Sequence, residues 1–377
     1  MWNRPAWLTL PLLVLFPALA PGQGSQGAGS AAPATLEERV EALEQRDAEL
    51  YHTLAEKKDA GLSTQIGERL TISGLLEVEA GYGRLTLRGE DDETASDVVV
   101  ATAQLGFAAQ VSDHLDATLV FLFEEDETDP PEVDEATIGY ARAGWFARFG
   151  RQYVPFGAFP SHFISDPLTL ELGETRETAV LVGFGQERFS VAAFVFNGDA
   201  EKVNSAGSRA DDHLRDWGVS VQVTPVELLE LGASFLSDLA DTDAELLEEY
   251  RRRVPGWSAY AVAQLGSLAA SGEVLGAVRT FRKGDLDVDE DGSGDRPLAW
   301  NLELAWAALE NVELAARVEG SREFARQPEL QYGLGASWGP WEHVSLALEY
   351  LRGLFDRDFG EGLRHRDLVT AQVALAF

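Results

Sequence analysis

The chain has 377 residues, with 63 acidic and 30 basic side chains and a formal net charge of −33. That balance excludes nucleic acid as a partner, because phosphate binding needs a basic face. With no cysteine, disulfides, thiolate metal sites and a lipoprotein anchor are excluded as well.

Residues 1–20, MWNRPAWLTLPLLVLFPALA, carry one Arg, an apolar run and Ala18-Leu19-Ala20, the pattern of a secretory signal peptide. A membrane-spanning anchor competes with that reading, but the run falls short of the ~20 apolar residues a spanning helix needs. Residues 21–35 are rich in Gly, Ala, Ser and Pro and read as a flexible linker. Residues 36–58 space Leu36, Val40, Leu43, Asp47, Leu50 and Leu54 alternately by 4 and 3, a heptad seam with one polar position. This predicts a short periplasmic coiled-coil helix. A solvated amphipathic helix is the alternative, since so short a seam is marginal alone.

From residue 69 to 377 the period becomes two. Ile72, Gly74, Leu76, Val78, Ala80 and Tyr82 alternate with Thr71, Ser73, Glu77 and Glu79. Leu298, Trp300, Leu302, Leu304 and Trp306 lie opposite Asn301 and Glu303, and Val312, Leu314, Ala316 and Val318 opposite Glu313, Arg317 and Glu319. Such alternation means strands with two chemically different faces. About sixteen runs of this kind occur (range roughly 14–18), joined alternately by short turns and by mostly long, acidic loops. A soluble sandwich would have to bury Glu, Arg and Asn in a dry core. Turned inside out, the apolar face meets lipid and the polar face, including Glu77, Glu79, Glu303, Arg317 and Glu319, lines water. The expected fold is therefore an all-β, antiparallel transmembrane barrel. Its final run, VTAQVALAF, ends on Phe377, which reads as an assembly signal at the periplasmic rim.

A barrel of this size encloses an aqueous channel. The third long loop, 154–177, is less polar than its neighbours, with Phe156, Phe159, Phe163, Ile164, Leu168 and Leu170. Folded inward, it would set Asp166, Glu171, Glu174, Arg176 and Glu177 against Arg148 at a pore constriction. A loop packed on the outer mouth is the alternative.

The coiled coil, ISGLLEVEAGYG (72–83), YVPFGAFPSHFISDPLTLELGETRETAVLVGF (153–184) and TAQVALAF (370–377) together resemble the LbtU-type siderophore porins. The resemblance covers essentially the mature chain and implies a Gram-negative outer-membrane channel that takes up a ferric siderophore without energy coupling. The short stretch ahead of Leu70 leaves no room for a plug domain, in agreement. A general or charge-selective diffusion porin, with the coiled coil tethering it to the envelope, is the competing function. Expected partners are outer-membrane lipid, lipopolysaccharide, a small-molecule iron chelate and two further copies in a homotrimer.

Asp287, Asp289, Asp291 and Asp295 follow the odd-position spacing of a calcium loop, but Leu298 stands where a bidentate Glu belongs. An acidic outer loop is the plainer reading, and no other cofactor is expected. None of the six histidines has metal-ligand spacing. His213 beside Asp211 and Asp212 is the single local hint of an enzyme, and we expect none. Arg251, Arg252 and Arg253 after the acidic residues 245–249 predict a short outer-loop helix with neutralising pairs. A basic collar for anionic chelates is the other reading of those arginines.

Overall fold

The computed structural model describes residues 64–65, 69–125, 128, 130–203 and 214–377. The signal-peptide, linker and coiled-coil segments, and His213 with its two aspartates, lie outside the described residues. Sixteen long strands form one closed antiparallel sheet. In chain order they are β1 (Leu70–Leu87), β2 (Glu93–Ser112), β3 (Leu115–Phe123), β4 (Glu132–Arg142), β5 (Trp145–Tyr153), β6 (Arg176–Gln186), β7 (Phe189–Phe196) and β8 (Asp216–Val226). There follow β9 (Leu229–Leu236), β10 (Gly256–Leu265), β11 (Leu268–Ala277), β12 (Leu298–Leu309), β13 (Val312–Arg322), β14 (Leu330–Trp341), β15 (Val344–Leu354) and β16 (Leu363–Ala376). Each strand pairs with its sequence neighbour, and β16 closes the sheet on β1. This matches the expected strand number.

Seven hairpins at one end have two-residue turns, such as Ala143-Gly144. Both of those residues have positive φ (53° and 80°), the geometry that matches the twist of the flanking strands. Connections at the other end include 154–175, 197–215, 237–255 and 278–297, here called L3, L4, L5 and L6. Three expected loops are shorter than their sequence suggested. Residues 93–96 of the acidic stretch 89–96 belong to β2, residues 132–135 of the stretch 124–135 belong to β4, and Arg176 and Glu177 of the stretch 154–177 belong to β6.

Alternation sorts the wall as period two requires. Leu302 opposite Val318 points outward and both are exposed, whereas Glu303 opposite Arg317 points inward and both are buried. The outer surface carries Leu76, Val78, Leu304, Leu334, Leu348 and Val373, all exposed. Exposed aromatics stand toward both ends: Trp145, Trp306 and Trp341 near the short turns, and Tyr82, Trp217 and Tyr332 near the long loops. A contiguous apolar band between aromatic girdles is the surface of a barrel made for hydrocarbon.

Phe377 lies in the seam between the first and last strands. Its N–H donates to the Gly74 carbonyl (2.9 Å) and its carbonyl accepts from the Gly74 N–H (2.8 Å). A Cβ on Gly74 would collide with the Phe377 ring, so glycine leaves the room that the aromatic fills.

The expectation of a uniformly polar inner face is corrected. On one side of the barrel Ala179, Leu181, Phe194, Phe196, Leu236, Leu275 and Ala299 are buried and form an apolar core with Phe156, Leu168 and Leu172 of L3. The wall is apolar there because the loop covers it. The expected helix at 245–253 is also absent. Glu249–Tyr250 instead bridges in parallel to Glu201–Lys202, and the arginines are spent on other loops. Arg251 donates to the Gly284 carbonyl, Arg252 to the Thr280 carbonyl, and Arg253 to Asp216 and the Arg215 carbonyl.

Candidate functional site: an inward loop and the bore beside it

L3 lies inside the barrel. Its apolar residues explain why: Phe156, Phe163, Ile164, Leu168 and Leu172 are each no more than 2% exposed. Burial of that much apolar surface drives the loop against the wall. Inside it, α1 (Leu168–Gly173) makes a turn and a half after Pro167. Proline is suited to that boundary because it lacks the N–H a first turn cannot use.

Burying an irregular loop strands its backbone polar groups unless something receives them. Here wall carboxylates do. Glu273 on β11 accepts from the Ala158 and Phe159 N–H groups (2.9 and 2.8 Å). Glu303 on β12 accepts from His162 N–H (2.7 Å), Glu319 on β13 from Leu168 N–H (2.7 Å), and Glu349 on β15 from Ile164 and Ser165 N–H (2.8 and 3.1 Å). Arg317 completes the clamp. Its guanidinium pairs with Glu303 at 2.7 Å and Glu319 at 3.5 Å, donates to the Ser165 and Asp166 carbonyls at 2.9 and 3.2 Å, and lies 4.5 Å from the Phe163 ring centroid. One planar cation thus ties two wall carboxylates to the loop backbone, a task that suits the rigid fork of arginine.

His162 adds a titratable fastening, with Nδ1 2.9 Å from Glu313 Oε1. Desolvation lowers its pKa, but the Glu313 carboxylate and then Glu303 outweigh that, and the net shift is upward. The outer root of the loop is held by Asp134 on β4, which accepts from Tyr153 Oη (2.8 Å) and pairs with Arg176 (2.9 Å).

The sequence-predicted residues divide into three groups. Asp166 and Glu171 come together at the inner tip of L3, close enough to Glu79 on β1 for Asp166 to act on both carboxylates. Desolvation first, and Asp166 next, push the Glu171 carboxyl up to about 8. Glu77 and Glu79 face this tip from β1, and Gln372 on β16 donates to Glu79 at 2.9 Å. Glu174, Arg176 and Glu177 sit instead at the outer root, where Arg176 pairs with Glu132 and Asp134. Arg148 points inward from β5 in register with Leu181, toward the short-turn end. Glu303, Arg317 and Glu319, expected to line water, are covered by L3. The buried cation that acts on Glu171 is Arg366 on β16, which also bonds Gln331 (3.1 Å).

Sequence reasoning missed Arg366, Glu273, Glu349 and Asp134. Arg366, Glu273 and Glu349 share the inward parity of their strands, so that signal was available, whereas Asp134 sits at a bulge between Val133 and Glu135 that breaks the alternation of β4. What could not be read was which inward groups face the bore and which face the loop.

Asp287, Asp289 and Asp295 each bring one carboxylate oxygen within 4.8 Å of the others, while Asp291 instead caps its own turn through Ser293.

A closed, sixteen-stranded antiparallel barrel with a long loop folded into its lumen defines the fold class of the outer-membrane porins. Solved porin-like structures superimpose accordingly. The outer membrane channel DcaP of Acinetobacter baumannii aligns with TM-score 0.60 and 16% identity over 84% of this chain and 99% of that one. OmpF of Salmonella typhi gives 0.59 and 12% over 84% and 100%, and OprB of Pseudomonas putida 0.58 and 11% over 87% and 97%. In sequence, the chain is 25% identical to a UPF0422 protein of Coxiella burnetii over 323 residues, 80% of this chain and 68% of that protein. UPF0422 proteins of Legionella pneumophila strains Lens and Paris are 23% and 22% identical, covering 56% of this chain. The chain spans only 44% of the length of those Legionella relatives. No protein-family model matches it.

Proposed function

We propose that this protein is an outer-membrane porin, a passive channel that needs no energy coupling, and that its solute is a ferric siderophore. The observation that carries the channel reading is the clamp of L3 against β11–β15. The clamp fills one side of the lumen, and in this reading the solute's path runs between the loop and β1. In this reading the constriction is acidic, with Asp166 and Glu171 facing Glu77 and Glu79. Arg148 lies toward one end of the passage, and Glu174, Arg176 and Glu177 toward the other. Opposed or like charges at a narrowing set charge preference. Glu171, raised to about 8 and beside Arg366, adds its negative charge only as pH rises through that value, so the preference for neutral or cationic over anionic chelates strengthens with pH. The siderophore itself is supported by the resemblance over 153–184 alone.

A second reading, a cation-preferring diffusion porin, is favoured by the same acidic tip. Planar-bilayer recording separates the two. Single-channel current blocked by a neutral or cationic ferric siderophore, and untouched by sugars or phosphate, supports the first. Current indifferent to every chelate, with liposome swelling by many unrelated solutes, supports the second. No channel activity would refute both. We also propose a homotrimer embedded among lipid and lipopolysaccharide, with the 36–58 helix in the periplasm. Chemical cross-linking in outer membranes should trap a trimer, and monomer alone would remove that part.

A further inference from the structure

A second group of carboxylates lies away from the bore, where L4 and L5 leave the wall. Asp216 opens β8, and Asp238 and Asp241 lie on L5 around a single 3-10 turn (Leu239–Asp241). They are 5%, 0% and 4% exposed, and each brings a carboxylate oxygen within 4.8 Å of the other two. Among the described residues one cation answers them: Arg253, 2.8 Å from Asp216 and 3.6 Å from Asp238. Ionised together, three buried carboxylates against one guanidinium would leave two negative charges uncompensated, and buried charge is costly unless paired.

The oxygen inventory shows where compensation would act. Asp238 Oδ1 accepts from the Ala240 N–H (3.2 Å), and Asp241 Oδ1 accepts from the Ala200 N–H (3.1 Å). Asp241 Oδ2 is fully buried and no described donor reaches it. Asp238 Oδ2 likewise has no hydrogen bond and only the longer Arg253 ion pair. Gly198 lies so close that a Cβ there would overlap the Asp241 carboxylate, so the chain packs tightly round this group.

We propose that Asp216, Asp238 and Asp241 form a structural calcium site. The donors are hard carboxylate oxygens, the choice of Ca²⁺ rather than of thiophilic or imidazole-seeking metals. Oxygens bound to one ion at about 2.4 Å stand no more than about 4.8 Å apart, which this cluster satisfies. A divalent ion also supplies the two missing positive charges. Its effect would be to fasten L4 to L5, and through L5 to the loop in the lumen. The link is direct, since Asp243 N–H donates to the Glu174 carbonyl (2.8 Å) at the root of L3. The site is distinct from the 287–295 loop and independent of the solute that the channel carries.

The test uses refolded mature barrel in detergent, free of lipopolysaccharide, with Asp287 and Asp289 both changed to Asn so that the other acidic loop is silent. Titration calorimetry should find one Ca²⁺ per chain, and saturating Ca²⁺ should raise the melting temperature over the EDTA-treated protein by about 5 °C. Asp241→Asn should abolish both while keeping heat-modifiable mobility on gels. Should that variant fail to fold, Tb³⁺ luminescence sensitised through Tyr250 in the parent, displaced by Ca²⁺, reads the site directly. A parent that gives no heat and no shift with Ca²⁺ overturns the proposal. So does D241N with an undiminished response, or stabilisation by acid alone, which would identify shared protons as the compensating charge.

Discussion

Arg317→Ala is the sharpest perturbation of the inward loop. Its guanidinium and the carboxylates of Glu303 and Glu319 are wholly inaccessible to solvent. Truncation deletes the cation and leaves both carboxylates buried, removes two donors to the backbone of L3, and strips the Phe163 ring of its cationic face. Breaking a buried ion pair from one side costs about 3–5 kcal/mol. If that falls on the docking of L3, the docked-to-undocked ratio drops roughly a hundred- to a few-thousand-fold. The barrel ladder itself is untouched, since each strand keeps its neighbours. Single-channel recording should therefore show a larger and noisier conductance, with heat-modifiable mobility retained. Arg317→Lys keeps the charge but loses the fork and should fall between. Replacing Arg317, Glu303 and Glu319 together by apolar residues should recover folding stability while leaving the loop untied. An R317A channel with parental conductance, noise and urea midpoint would refute the claim that this residue holds the loop.

The remaining predictions address the other contacts. Glu349→Leu leaves the Ile164 and Ser165 N–H groups without an acceptor and should cost about 1–3 kcal/mol in urea denaturation, whereas Glu349→Gln, which keeps an oxygen, should cost less. Because His162 is raised in the folded protein, its contribution is complete below the ordinary value of about 6.5 and is lost as pH rises through the raised value. The groups acting on it are Glu313, Glu303 and Arg317, and His162→Gln should flatten conductance noise across that window. Leu302→Arg, on the outward face, should lower barrel stability by about 2–4 kcal/mol in lipid bilayers but little in aqueous-facing assays. Gly74→Leu should displace the Phe377 ring and slow the appearance of the heat-modifiable band during folding into vesicles.

What the residues determined on their own is the wall. Alternation is local, so Leu302 against Glu303, and Val318 against Arg317, could be assigned to opposite faces without knowing any neighbour. The paired rhythm of short turns and long loops then set strand number and closure. Even the apolar content of 154–177 marked that loop as different from its acidic companions. Which inward group does what was decided only by tertiary structure. Glu319 and Arg317 have the same parity as Glu79 on its strand, yet they clasp a buried loop while Glu79 faces its tip. The difference is which strands L3 covers, a relation between residues more than a hundred positions apart. The Asp216, Asp238 and Asp241 cluster shows the same limit. No spacing announces it, because it forms where a strand end and a loop meet in space, and charge compensation depends on distance rather than on order along the chain.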